Sequence, residues 1–284
     1  MKVYRTVAEM QAARKDYTGD FGLVPTMGYL HEGHLSLVRS ARSQNTVCAA
    51  WIFVNPTQFG PGEDFQRYPR DEAQDLELLE REGVDVLFAP SVDEIYPPGF
   101  DTFVKVGRVS ERLEGTSRPG HFRGVATVVT KFFNIMQPTR AYFGQKDAQQ
   151  VVVVKKLVRD LDLNIEIVAC PTIREADGLA MSSRNAYLER SERKAATVLY
   201  RALRRAQEGW DAGERSGDAL RRDMLTVLNT QPLARVDYVS VADTETLEEL
   251  DVIRGPALAS MAVYIGMTRL IDNVLLSSEP RPGS

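Results

Sequence analysis

Two of the three histidines in the chain stand three residues apart, in Pro25-Thr26-Met27-Gly28-Tyr29-Leu30-His31-Glu32-Gly33-His34. The third, His121, follows Pro119-Gly120. On a helical turn His31 and His34 point the same way. Two imidazoles there can donate hydrogen bonds to phosphate oxygens as negative charge develops. Gly28 and Gly33 would let backbone approach a phosphate closely. A metal site is the weaker reading: His-x-x-His lacks a third nitrogen or sulfur ligand nearby and is not the His-Glu-x-x-His zinc pattern. A glycine turn carrying two surface histidines is the plain alternative.

Four other stretches carry usable groups. Asn55 and Gln58 are neutral amides that can bind hydroxyls or a carboxylate without adding full charge. Arg118, His121 and Arg123 cluster at a helix start and could neutralise a triphosphate or a pyrophosphate leaving group. Structural ion pairs explain Arg123 equally well. In Tyr142–Gln150, Gly144 leaves room for a nucleotide, Lys146 is a compact cation, Asp147 caps a helix or orients groups, and Gln149 reads as exposed. Ser182, Ser183 and Arg184 can clamp phosphates by charge-assisted hydrogen bonds. Glu63 and Asp64 read as solvated carboxylates at a helix start.

These groups need elements to hold them. Apolar runs at Phe21–Thr26, 47–54, 84–89, Arg140–Gly144 and 165–170 read as buried strands. Helical patterns separate them at about 34–42, 71–82, 120–137 and 147–160. That alternation predicts a doubly wound α/β fold with a mostly parallel sheet. Helices at 188–207 and 218–228, followed by strands at 236–242, 258–265 and 270–276, predict a smaller α+β C-terminal domain. The expected division is 1–174, 175–276 and a disordered tail, 277–284. The clamp of Ser182 to Arg184 falls near that junction, where a mobile lid would be useful.

Composition narrows the function classes. The 284 residues are 43% hydrophobic and carry 35 Lys+Arg against 39 Asp+Glu, a formal charge of −4. An ordinary globular protein with no global charge reason to bind nucleic acid or membrane is expected. There is no apolar run near the N-terminus resembling a signal peptide and none long enough for a membrane span, so a cytoplasmic protein is expected. Cys48 and Cys170 read as buried thiols. The chain has neither a Gly-x-Gly-x-x-Gly nor a Gly-Lys-Ser/Thr loop, which argues against a dinucleotide dehydrogenase or a P-loop ATPase.

The ten-residue string Pro25–His34 resembles the signature of the pantoate–β-alanine ligase family, and more distantly the His-x-Gly-His motif of the nucleotidyltransferase superfamily. Four further segments agree in order: Phe53–Gly60, Leu113–Val125, Tyr142–Gln150 and Ile173–Asn185. The resemblance covers residues 21 to 189. It implies a Rossmann-like fold of nucleotidyltransferase type and ATP-dependent condensation of (R)-pantoate with β-alanine through a pantoyl adenylate, releasing AMP and pyrophosphate. It places ATP contacts at Met27, Gly28, Tyr29, Leu30, His31, Glu32, Gly33 and His34, at Gly144, Gln145, Lys146 and Asp147, and at Ile173, Met181, Ser182, Ser183 and Arg184. Gln58, Gln150, Asn55 and Arg118 would bind substrate. His34, His31, Lys146, Ser182 and Arg184 would carry the chemistry. Mg2+ would accompany ATP, and a homodimer is implied. A related nucleotidyltransferase with another acceptor, or a non-catalytic nucleotide binder on the same scaffold, remains open at this level.

Overall fold

The computed structural model describes residues 1–277. Apart from Ser277, the tail expected to be disordered lies outside the described residues. In chain order the first part comprises β1 (Lys2–Tyr4), α1 (Val7–Arg14), β2 (Phe21–Thr26), α2 (Glu32–Gln44), β3 (Val47–Ile52), α3 (Glu72–Arg81) and β4 (Val86–Phe88). It continues through the short α4 (Val92–Ile95) and α5 (Glu114–Ser117), then α6 (His121–Met136), β5 (Arg140–Gly144), α7 (Ala148–Asp160) and β6 (Glu166–Cys170). The remainder is α8 (Arg190–Ala195), α9 (Val198–Asp211), α10 (Gly217–Leu228), β7 (Ala234–Asp243), β8 (Ala257–Ile265) and β9 (Thr268–Leu276).

Strands β1 to β6 form a parallel sheet in the order β1-β4-β3-β2-β5-β6. The chain moves outward from β2 through β3 to β4, then restarts on the other side with β5 and β6. The order therefore reverses between β2 and β5, and such a switch opens a crevice at the carboxyl ends of the two strands. Because β2 ends at Thr26 and β5 at Gly144, the His31–His34 loop and the Lys146 loop leave the sheet as neighbours.

The core explains why these segments take these forms. Most of α6 is apolar, and Phe132 is fully buried with its ring centroid 3.9 Å from that of Trp51 and 5.7 Å from that of Phe53. Burying an aromatic or aliphatic side chain of this size stabilises the fold by about 1.5–3 kcal/mol. Gly124 lets α6 lie directly against the Pro56–Gln58 turn, where a Cβ would overlap the Thr57 carbonyl. The C-terminal sheet β7-β8-β9 is antiparallel. It packs on α8–α10 around its own apolar cluster, which includes Leu199, Leu203, Met224 and Met261.

Some expectations need correction. The first strand–helix pair, β1 and α1, has no counterpart in the sequence reading, because β1 is a three-residue edge strand without an apolar run. The single helix expected at 188–207 is two, α8 and α9, separated by a turn at Ala196–Thr197. Its start lies at Arg190, fixed by a capping box between Glu189 and Glu192. Both cysteines are free and buried, as expected.

Candidate active site

A cavity of about 660 Å³ lies over the switch point, between the parallel sheet and the C-terminal β-sheet. Met27, His31, Gly33 and His34 line it from the loop after β2, and Gly144, Lys146 and Asp147 from the loop after β5. Ile173, Met181, Ser182, Ser183 and Arg184 come from the segment after β6. Asn55, Gln58, Arg118, His121 and Gln150 complete the set expected from sequence. Five residues expected at the nucleotide are not on this wall: Gly28, Tyr29, Leu30, Glu32 and Gln145. Glu32 faces outward and pairs with Arg39. The Gln145 amide bonds Asn273 of β9.

The two imidazoles stack with centroids 4.0 Å apart. His31 is the N-cap of α2, and its Nδ1 accepts from the Gly33 N–H at 3.2 Å. The His34 Nδ1 accepts from the His31 N–H at 3.4 Å. With both Nδ1 atoms acting as acceptors, each neutral ring carries its proton on Nε2. Burial is the main force keeping them neutral, and it pushes His31 down to about 4, with Lys146 adding to the effect. His34 is held well below its ordinary value by burial, then by His31 and Lys146. The site thus presents two neutral N–H donors beside a lysine.

The glycine loop is braced from within. Its backbone N–H groups are largely consumed internally: Gly28 donates to the Thr26 hydroxyl, and Tyr29 and Leu30 to the Asp75 carboxylate.

His121 is wired in the opposite sense. Its Nδ1–H donates to the Gln58 carbonyl at 2.8 Å, which leaves Nε2 to accept from Arg118. Burial, then Arg118, pushes it down to about 4. This ring holds Gln58 and Arg118 in place. Arg123 turns away from the cavity and stacks on Phe103, 4.9 Å from the ring centroid, so the ion pair entertained for it is replaced by a cation–π contact. Asn55, expected to bind substrate, lines the cavity but is tied into hydrogen bonds of its own. It is buried, its amide donates to Gln58 and to the Gly124 carbonyl, and its oxygen accepts from Thr57 and Tyr96. One of these bonds reaches the Gln58 side chain, and the rest tie Asn55 to Gly124, Thr57 and Tyr96.

The carboxylates read as solvated are partners of the basic groups. Glu63 binds Arg118 through two bonds of 2.7 Å, and Asp64 binds Arg184 at 2.9 and 3.0 Å. Burial alone would raise Glu63, but Arg118 overrides it and the net shift is downward. Gln149, read as exposed, is buried, donating to the Val109 and Arg112 carbonyls and accepting from the Glu114 N–H. Sequence reading also missed Arg269, which forks onto Glu114 at 2.7 and 2.8 Å and joins β9 to α5. Only the fold places those two residues together. Among the described residues no cluster of three or more His, Cys, Asp or Glu is placed to hold a metal ion. Likewise, no described helix is long and apolar enough to cross a membrane.

The histidine wiring has a measurable consequence. Folded values below the unfolded value of about 6.5 mean that the unfolded chain binds more protons. The stability they contribute is present above about pH 6.5 and is lost as pH falls towards 4. Imidazole NMR titrations should show the three rings predominantly neutral down to about pH 5. A midpoint near 6.5 for His31 or His121 would contradict the arrangement.

A parallel sheet with donors gathered over its switch point defines an α/β enzyme of the nucleotide-binding type. The sequence model of the family described as Pantoate-beta-alanine ligase matches residues 2–275. The pantothenate synthetase of Roseiflexus sp. (strain RS-1) is 62% identical over 278 residues, covering 98% of this chain and all of that protein. The crystal structure of pantothenate synthetase from Thermus thermophilus superposes with a TM-score of 0.94 at 50% identity, covering 98% of this chain and all of that one. That of pantoate-beta-alanine ligase from Francisella tularensis, complexed with beta-gamma ATP and beta-alanine, gives 0.81 at 36% identity over 99% of this chain and all of that one. The chain belongs to the pantoate–β-alanine ligase family of amide-bond-forming ligases.

Proposed function

We propose that this protein joins (R)-pantoate to β-alanine in two steps at the cavity over the switch point, consuming ATP. The observation that carries the reading is the meeting of His31, His34, Lys146, Ser182 and Arg184 from three separate loops on one cavity wall. A carboxylate acylates an amine poorly until it gains a leaving group. In the first step a pantoate carboxylate oxygen attacks the α-phosphorus of ATP, the bond to the bridging oxygen breaks, and pyrophosphate departs with that electron pair. Two anions meet, so positioning and cationic neutralisation dominate over acid–base chemistry. His34 and His31 donate Nε2–H to phosphate oxygens, Lys146 supplies positive charge, and Ser182, Ser183 and Arg184 hold phosphates. In the second step the neutral β-alanine amine attacks the acyl carbon, the bond from that carbon to the phosphate oxygen breaks, AMP leaves with the electron pair, and the nitrogen releases its proton to solvent.

Gln58 and Gln150 orient the organic substrates in this reading. Asn55 acts by holding Gln58, and Arg118 by keeping Glu63 and His121 around it. Met27, Gly33, Gly144, Asp147, Ile173 and Met181 frame the nucleotide. Mg2+ belongs to the reaction as the ion carried on the ATP phosphates. Residues 175–276 act as a lid over the nucleotide-binding body, 1–174, shielding the acyl adenylate from water. A homodimer in the cytoplasm is the working assembly.

Pantoate-dependent exchange of labelled pyrophosphate into ATP, measured without β-alanine, tests the stepwise scheme. Exchange at a rate comparable with turnover is expected. Ligation without any exchange would rule out the adenylate.

A further inference from the structure

We infer that Asp75, outside the cavity wall, is a positioning residue that fixes which nitrogen of His31 and His34 carries the proton. This rests on the proposed role of the two imidazoles as N–H donors. Asp75 sits on the inner face of α3 and is 2% exposed. No cation lies within salt-bridge distance of it among the described residues. Both carboxylate oxygens are spent on one short turn: Oδ2 accepts from the Tyr29 N–H at 2.8 Å and Oδ1 from the Leu30 N–H at 2.7 Å. Burying a carboxylate without a cation is unfavourable, and two backbone donors offset only part of that. Burial indeed raises its pKa in spite of those two bonds.

The turn it holds is strained. Gly28 and Tyr29 both have positive φ, +80° and +53°, and Tyr29 carries a side chain that disfavours that region. Its geometry sets where the next N–H points. The His31 N–H, one residue beyond Leu30, is the donor that occupies Nδ1 of His34. The His31 ring, as the N-cap, receives the Gly33 N–H. Asp75 thus grips two successive N–H groups, and the following residues deliver theirs to the imidazoles. The Ser183 hydroxyl touches the opposite side of the same turn, at the Tyr29 carbonyl, 3.3 Å away. Once the carboxylate lets go, Tyr29 can leave its left-handed conformation and both Nδ1 acceptors lose fixed partners. Each ring then divides its proton between Nδ1 and Nε2.

The test is Asp75→Asn, which keeps the volume but turns an amide N–H2 towards one of the two donors. Gly28→Ala reaches the same contact from the turn side, since its Cβ would stand 2.8 Å from Oδ2 of Asp75. Nitrogen-15 NMR of the three imidazoles is read in the free protein beside steady-state kinetics. His121, held by the Gln58 carbonyl, is the internal control for an intact fold. Partners that orient metal-ligating histidines from behind are typically worth 10- to 100-fold, and a fall in kcat of about that size is expected for these two rings by the same positioning logic, with KM values within about threefold. The single Nε2–H form should be lost at His31 and His34, with no change at His121. Should Asp75→Asn yield no folded protein, the same readings on Gly28→Ala decide. Turnover within about twofold of the parent protein overturns the inference. So does lost turnover with His31 and His34 still in one tautomer. The tautomer reading needs no catalysis, so it stands apart from the fate of the adenylate scheme.

Discussion

Replacing His34 with alanine is expected to cut pantoate-dependent pyrophosphate exchange by about a hundredfold or more while the protein remains folded. A single preorganised donor at a developing oxyanion is worth about 3–4 kcal/mol in a dry site. The neutral state of the ring makes it suitable: burial keeps it uncharged, and its Nδ1 is occupied, so Nε2–H is available without a change of protonation. The fold should survive because the N-cap bond of α2 comes from His31, and His34 gives up only one long bond. His34→Gln, which retains an N–H donor, should recover part of the loss, whereas His34→Phe should not. Near-normal exchange in the alanine variant, with unchanged circular dichroism, would remove His34 from the chemistry.

Lys146→Ala is expected to lower kcat/KM for ATP by about 10²–10³. The physical reason is the balance of charge along the cavity wall. His31 and His34 are neutral, Arg118 is bound by Glu63, and Arg184 by Asp64. Lys146 has only a loose contact, 3.6 Å, to Asp147. Among the described residues Arg67 also lacks a carboxylate partner but lies exposed at the rim over the Tyr187 ring, so Lys146 is the loosely held cation beside the two imidazoles. Arginine should not restore activity, because a planar fork does not replace a compact ammonium in a confined site. The substitution has a second signature. Lys146 helps to depress both imidazoles, so without it their titrations should move up towards the ordinary value. Loss of activity without that upward movement would show that Lys146 does not sit where its charge is felt by the rings.

Much of the fold was legible because local patterns and global architecture agree. The runs that became β2, β3 and β5 are short, apolar and bounded by turn residues, and α3 and α6 end where Gly83 and Pro138 require. The first strand escaped notice because an edge strand needs no apolar run. The break between α8 and α9 leaves no signal because Ala195-Ala196-Thr197-Val198 contains no Gly or Pro to punctuate a continuous helical pattern. For the site, the chemically unusual residues were found, and their partners were not. Asp75 left a faint trace: it lies one turn before Leu79, so an acid interrupts the buried face of an amphipathic helix. Glu63 and Asp64 left none, since nothing local distinguishes a solvated carboxylate from one that meets an arginine 55 or 120 residues away.

The sequence alone determined which side chains could handle phosphate and which strands and helices would carry them. Local propensity and residue chemistry act over a few neighbours, and they survive in a linear string. The fold decided how those groups are used: which amide N–H groups are already spent, which guanidinium is already paired, and which imidazole nitrogen holds the proton. Those outcomes depend on the exclusion of water and on contacts between distant segments, such as Asp75 with Tyr29 and Leu30 or Asp64 with Arg184, which exist only in the folded chain.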